Sequence, residues 1–303
     1  MTPAAHLPET GSVEVVPPAA AAEIVEEVVH GRGGGPQRLL VALDIDGTVL
    51  LEDESLSPGV VDAVRHAREA GHVVTVATGR SWEGTRGILR VLELAPRYVV
   101  CSNGAVVLEL VDERDLEYKR VHIETFDPSA VLRLLRERLP DANYMVELAD
   151  GERLYTRQMH DWNLAQARRV PFDELGKQEV CRVVVVSPQH DEVAFSRLVG
   201  EIGLNQVTYA IGWSAWLDIA PHGVDKGTAL ELVRGWLGIA PEDVLVMGDG
   251  RNDVGMFRWA IERGGRAVAM AQGPQEVRDA AGEVTGSVQD GGVAAVLRTL
   301  GGR

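Results

Sequence analysis

Residues 39–50 read LLVALDIDGTVL: five apolar residues run straight into Asp44 and Asp46, followed by Gly47 and Thr48. A short apolar run bounded by turn residues fits a strand buried on both faces. Asp44 then stands at the strand's carboxyl end and Asp46 just beyond it, on the edge where open α/β sheets bind ligands. Two carboxylates this close repel each other and are costly to desolvate unless a cation or a proton joins them. A calcium loop beginning D-x-D-G is the competing reading. It needs glycine at its sixth position and glutamate at its twelfth, where this chain has Val49 and Ser55. The strand-end reading leads.

Working outward from that stretch, Ser57-Pro58 predicts an N-cap and first turn. The helix that follows carries Val60, Val61, Val64 and Ala67 on one face and stops near Gly71. Residues 73–77 (VVTVA) form a second buried strand closed by Thr78-Gly79-Arg80, and a helix over 82–94 leads to a third strand at 98–101 and the turn Ser102-Asn103-Gly104. Strand–helix repeats with polar residues at each carboxyl end predict a doubly wound parallel sheet, an α/β fold.

The pattern changes over residues 106–221, where period-two strands are no longer separated by a helix each time. Asp127-Pro128 opens a helix with Val131, Leu132, Leu135 and Leu139 on its apolar face. A hairpin follows over 144–156, turning at Ala149-Asp150-Gly151, then strands at 180–187, 207–211 and 216–219 with a helix over 192–202 between the first two. This is an α+β module inserted into the α/β domain, so that residues 37–105 and 222–303 form one core. The first pattern resumes with a helix from Lys226 to about Leu237, a strand at 243–247, the loop Gly248-Asp249-Gly250-Arg251-Asn252-Asp253, a strand at 266–269 and a final helix near 292–300.

Residues 1–36, rich in Ala, Pro, Gly and Glu, read as a flexible extension with a short helix candidate at 19–29. The glycines of residues 31–35 precede the first strand instead of following it, which excludes a dinucleotide loop. The chain has 303 residues, 45% apolar and 25% charged, enough for a sizeable core. A net charge of −15 argues against a nucleic-acid or anionic membrane partner. No apolar run approaches the roughly 18 residues of a membrane span, and no secretory signal is visible, so the cytoplasm is the expected address. Cys101 and Cys181, each in an apolar run, read as buried free thiols, and the eight histidines show no metal-like spacing. Trp162, Trp213 and Trp216 fall in the insertion, where core packing outweighs a place in a substrate cleft.

The strand ends together supply the carboxylates Asp44, Asp46, Asp249 and Asp253, the hydroxyl of Thr78 beside Gly79, and the ammonium of Lys226. Oxygen ligands from separate loops, with no His or Cys cluster, suit Mg²⁺. A hydroxyl, backbone N–H groups and a lysine around such a cation are what phosphoryl oxygens need, with an aspartate available as nucleophile.

The ordered set DIDGTVL, ATGR, SNGA, DKGTAL and GDGRND resembles the haloacid dehalogenase superfamily of phosphatases, and the insertion resembles the type-two cap of its Cof-like branch. The resemblance spans about residue 38 to the C-terminus. It implies that Asp44 attacks phosphorus to form an aspartyl-phosphate, while Asp46 protonates the leaving oxygen and then activates water. It implies that Thr78, with Gly79, hydrogen-bonds the phosphoryl oxygens and that Lys226 holds nucleophile and phosphate by charge. Mg²⁺ would be bound by Asp44, the backbone carbonyl of Asp46 and Asp249, with Asn252 and Asp253 orienting its waters or Lys226. Arg80 and Asn103 would lie near the phosphate or leaving group. The implied substrate is a small phosphorylated metabolite such as a sugar phosphate, selected by the cap. A phosphohexomutase-like enzyme and a non-catalytic phosphate-binding regulatory domain are the alternatives, and the substrate and the oligomeric state stay open.

Overall fold

The four residues of β1 (Leu40–Leu43) are wholly buried, as a central strand covered on both faces requires. The computed structural model describes residues 38–157, 164, 167–204, 207–212 and 215–301. The expected N-terminal extension, its helix candidate, Trp162 and Trp213 lie outside these residues.

After β1 come α1 (Val60–Glu69), β2 (Val73–Val76), α2 (Trp82–Val91) and β3 (Tyr98–Cys101). The antiparallel pair β4 (Val106–Asp112) and β5 (Glu117–Ile123) follows. Next are α3 (Ser129–Arg138), β6 (Asn143–Leu148), β7 (Arg153–Tyr155), β8 (Ala167–Arg169), β9 (Val180–Val186), α4 (Glu192–Ile202), β10 (Val207–Ile211) and β11 (Trp216–Pro221). The chain then returns through α5 (Lys226–Leu237), β12 (Val244–Gly248), α6 (Val254–Glu262), β13 (Arg266–Ala269), α7 (Gln275–Ala280), β14 (Glu283–Val284) and α8 (Gly292–Leu297).

The core sheet runs β14-β13-β12-β1-β2, every pair parallel. Register sets Leu43 beside both Met247 and Val76, so the loops after β1, β2 and β12 leave from one edge. A parallel bridge between Ala77 and Val100 brings β3 alongside, and the Thr78 N–H donates to the Val100 carbonyl at 3.0 Å. β4 and β5 open the stretch expected as the insertion, yet they extend β3 antiparallel, and Val106 and Leu108 share an apolar cluster with Val41 and Leu43. Their side chains alternate between that cluster and a second one containing Val107 and Leu40, which is how a strand buried on both faces packs.

Ser57 does not cap α1. That helix starts at Val60 after Gly59, whose φ of 71° is left-handed, and the buried Ser57 hydroxyl donates instead to the Val288 carbonyl at 2.7 Å. A buried hydroxyl must find a partner, and the C-terminal loop is nearer than the helix N-terminus.

The inserted module is a sheet of order β10-β11-β9-β6-β7-β8, antiparallel except for β7 with β8. One face packs on α3 and α4 through Val131, Leu135 and Phe195 against Val183, Val185 and Leu217. Alternation along the strands turns Glu147, Arg182, Val184 and Asp218 to the other face. Among the described residues no helix is long and apolar enough to cross a membrane.

Candidate active site

Lys226 opens α5, whose start is held by a capping box between Asp225 and Thr228. Its ammonium is completely enclosed and donates to Asp44 Oδ1 at 2.6 Å and to Asp253 Oδ1 at 2.7 Å. Burial acts to lower the Lys226 pKa, but the Asp253 and Asp44 carboxylates prevail and hold it above the usual lysine value. Asp44 is pushed well above the ordinary carboxylate range by burial and by Asp253, against the pull of Lys226. Asp249 follows β12 and is pushed up to about 7, first by burial and then by Asp253. The three carboxylates thus crowd one ammonium, whose single charge does not balance theirs.

This crowding tests for a cation. Asp44, Asp249 and Asp253 each offer an oxygen within 4.8 Å of the others. Asp253, however, spends its second oxygen on the N–H groups of Asp249 and Gly250, at 2.9 and 2.8 Å, and its first on Lys226. It is therefore a brace for the loop and the lysine, leaving Asp44 and Asp249 as carboxylates with free acceptor capacity. A hard divalent cation with oxygen ligands fits this donor set and relieves its excess negative charge.

Two further features shape the acidic edge. Gly47 has φ 70°, and a Cβ there would lie 2.1 Å from Asp249 Oδ2, so only glycine lets the loop after β1 meet the loop after β12. Gln272, which sequence reasoning missed, donates to the Gly47 carbonyl and to Asp249 Oδ2, and its own Oε1 accepts from the Val288 N–H. Gln272 stands outside every motif, in the turn after β13, and nothing in its local sequence marks it.

The remaining expected residues are gathered at the same edge. Thr78 is fully buried, its Oγ1 accepts from the Arg80 N–H at 3.1 Å, and its carbonyl accepts from the Asn103 N–H at 3.0 Å. Asn103 adopts the left-handed conformation at φ 53°, and Asn252 Nδ2 donates to its Oδ1 at 3.0 Å, tying the loops after β3 and β12. Arg80 Nε donates to Asp46 Oδ2 at 2.9 Å and its guanidinium reaches Glu54 at 3.2 Å. Asp46 is turned outward, its side chain 58% exposed, whereas Asp44 is sealed in. The two aspartates of the opening stretch thus occupy different environments. Thr48 Oγ1 is buried and has no hydrogen-bond partner among the described residues. Both cysteines are free and buried, and burial pushes the Cys101 thiol up to about 12, an environment that disfavours the thiolate.

The inserted sheet roofs this edge. Glu147 on β6 is fully buried and accepts from the Ser102 hydroxyl at 2.8 Å and from Arg120 at 3.0 Å, joining the module to the core. Trp216 lies on the same roof face, packed beside Met145, Val184 and Val186.

A parallel sheet with a lysine-anchored acidic edge, covered by an inserted sheet, defines a hydrolase of the haloacid dehalogenase kind. The profile of haloacid dehalogenase-like hydrolases matches residues 41–297, and the chain belongs to that family. The chain is 25% identical over 272 residues to the 5-amino-6-(5-phospho-D-ribitylamino)uracil phosphatase YitU of Bacillus subtilis, covering 86% of this chain and 96% of that one. It is 29% identical over 280 residues to the putative phosphatase YxeH of the same organism, covering 86% and 97%. Among solved structures, BT1666 of Bacteroides thetaiotaomicron, described among phosphatases of the haloalkanoate superfamily, has the same fold: TM-score 0.67 at 22% identity, covering 90% of this chain and 98% of that one.

Proposed function

We propose that the protein is a Mg²⁺-dependent phosphatase that hydrolyses a small phosphomonoester, a sugar phosphate or similar metabolite, through an aspartyl-phosphate on Asp44. The observation that carries this reading is the enclosed cluster of Lys226 with Asp44, Asp253 and Asp249. Asp44 attacks phosphorus in line with the leaving oxygen, and Lys226 fixes its carboxylate in one rotamer while adding positive charge beside the phosphoryl oxygens. Asp46, exposed beside the cluster and held by Arg80, is the group that, once released from Arg80, protonates the leaving oxygen and then takes a proton from water. Thr78, Gly79 and Asn103 line the remaining side, and Asn252 and Asp253 brace the loops that carry the ligands. Asp44, Asp249 and the Asp46 carbonyl would hold Mg²⁺, which supplies charge neutralisation of the phosphoryl oxygens. The lid over the leaving group is the part of residues 106–221 that follows Ile123, because β4 and β5 pack with the core. The phosphorylated small molecule in the name of YitU supports the substrate class.

The test is release of phosphate from p-nitrophenyl phosphate. Turnover requires Mg²⁺, is abolished by EDTA, and falls by at least about a thousandfold in Asp44→Asn. Turnover without a divalent cation, or an active Asp44→Asn, rejects the mechanism.

A further inference from the structure

On the roof face of the inserted sheet, Arg182 of β9 clasps Asp218 of β11 with two hydrogen bonds, 2.8 and 2.6 Å long, and both residues are buried. A buried ion pair is weak evidence for stability, since an apolar pair of similar volume serves as well. The neighbours on this face are Met145, Val184 and Trp216 together with the buried carboxylate of Glu147, which stands opposite Arg182 in register, so the face is partly polar and its charges need an account.

Its location supplies a role. A Cβ on Gly79 would lie 3.4 Å from Asp218 Oδ2 and 3.1 Å from Asn103 Oδ1. The carboxylate thus hangs from the roof directly against the loop that follows Thr78, beside Asn103 and on the side of the acidic edge that the inserted sheet covers. A carboxylate accepts about four hydrogen bonds. Arg182 uses two, and among the described residues no other side chain donates to Asp218.

We infer that Asp218, oriented by Arg182, binds a hydroxyl of the leaving alcohol and thereby selects phosphorylated polyols and sugars over phosphate esters of plain alcohols. Arg182 is a positioning residue: its planar fork fixes the carboxylate so that its unused lone pairs face the substrate. The inference rests on the phosphatase reading and adds to it the group that reads the leaving alcohol.

The experiment compares length-matched pairs, glycerol 3-phosphate with n-propyl phosphate and ribitol 5-phosphate with n-pentyl phosphate, in the parent chain, Asp218→Ala and the isosteric Asp218→Asn. A hydrogen bond to a charged group gives the parent a kcat/KM about 10- to 100-fold higher for the hydroxylated member. In Asp218→Ala that ratio collapses toward one, and in Asp218→Asn it falls part of the way. A merely structural role lowers both members of a pair alike and keeps the ratio; that result, or a parent ratio near one, overturns the inference. Absence of any p-nitrophenyl phosphate turnover by the parent with Mg²⁺ instead overturns the phosphatase reading beneath it.

Discussion

Lys226 Nζ and Asp44 Oδ1 stand 2.6 Å apart across 182 residues of sequence, with no water-accessible surface on the lysine. Replacing Lys226 by Met keeps the apolar stem and deletes the charge, leaving Asp44 and Asp253 buried without their cation. Removing one partner of a buried pair costs about 3–5 kcal/mol. Urea unfolding of the metal-free Lys226→Met protein is expected to show a loss of that order, and phosphatase turnover to fall by at least about a hundredfold.

Asp249 gives the metal-free protein a pH dependence. Its folded pKa is raised from 3.8 to about 7 by burial and by Asp253. Between those values the folded carboxyl keeps a proton that the unfolded one has lost, so the unfolding free energy falls as pH rises. This contribution is complete below 3.8 and is lost as pH passes through about 7. The Tm of EDTA-treated protein should therefore decline from about pH 5 to about pH 8. Mg²⁺ should restore more at the upper end, because a carboxylate ligand must shed its proton to bind. A Tm response to Mg²⁺ that is larger at the lower pH counts against Asp249 as a ligand.

Gly47→Ala tests the contact between the two acidic loops. The added methyl meets Asp249 Oδ2 at 2.1 Å and sits on a residue with φ 70°. The strain alone is worth about 1–3 kcal/mol, and displacement of Asp249 should raise the Mg²⁺ concentration for half-maximal activity by about tenfold or more. A magnesium titration of turnover, read beside the melting temperature, separates the two effects.

Ser102→Ala removes one of the two core groups that hold Glu147. A buried carboxylate deprived of a donor costs about 1–3 kcal/mol. With Arg120 still at 3.0 Å the loss should fall at the lower end. Because the hydrogen bond joins the roof to the loop carrying Asn103, KM should rise more than kcat falls. An unchanged KM places closure of the roof outside the control of this contact.

Much of the architecture was legible in local pattern. β1, β9 and β13 each carry a continuous apolar run, and α4 and α5 start and stop at residues that their caps announce. The acidic edge was legible too: Asp44, Asp249 and Lys226 stand at strand or helix ends, and parallel pairing of β1 with β12 brings those ends together. β4 and β5 were harder to assign, because a period-two strand reads the same whether its partner is the core sheet or an inserted one.

By itself the sequence determined the strand ends, the residue types gathered there and their order, since each is set by a local alternation of apolar runs and turn residues. Tertiary structure alone decided that Ser57 serves Val288, that Arg80 turns to Asp46, that Gln272 locks two acidic loops and that Arg182 grips Asp218 above Gly79. Those pairings depend on strand register and on the docking of one sheet over another. A buried polar group takes whichever partner that docking places within hydrogen-bond reach, and no local pattern encodes it.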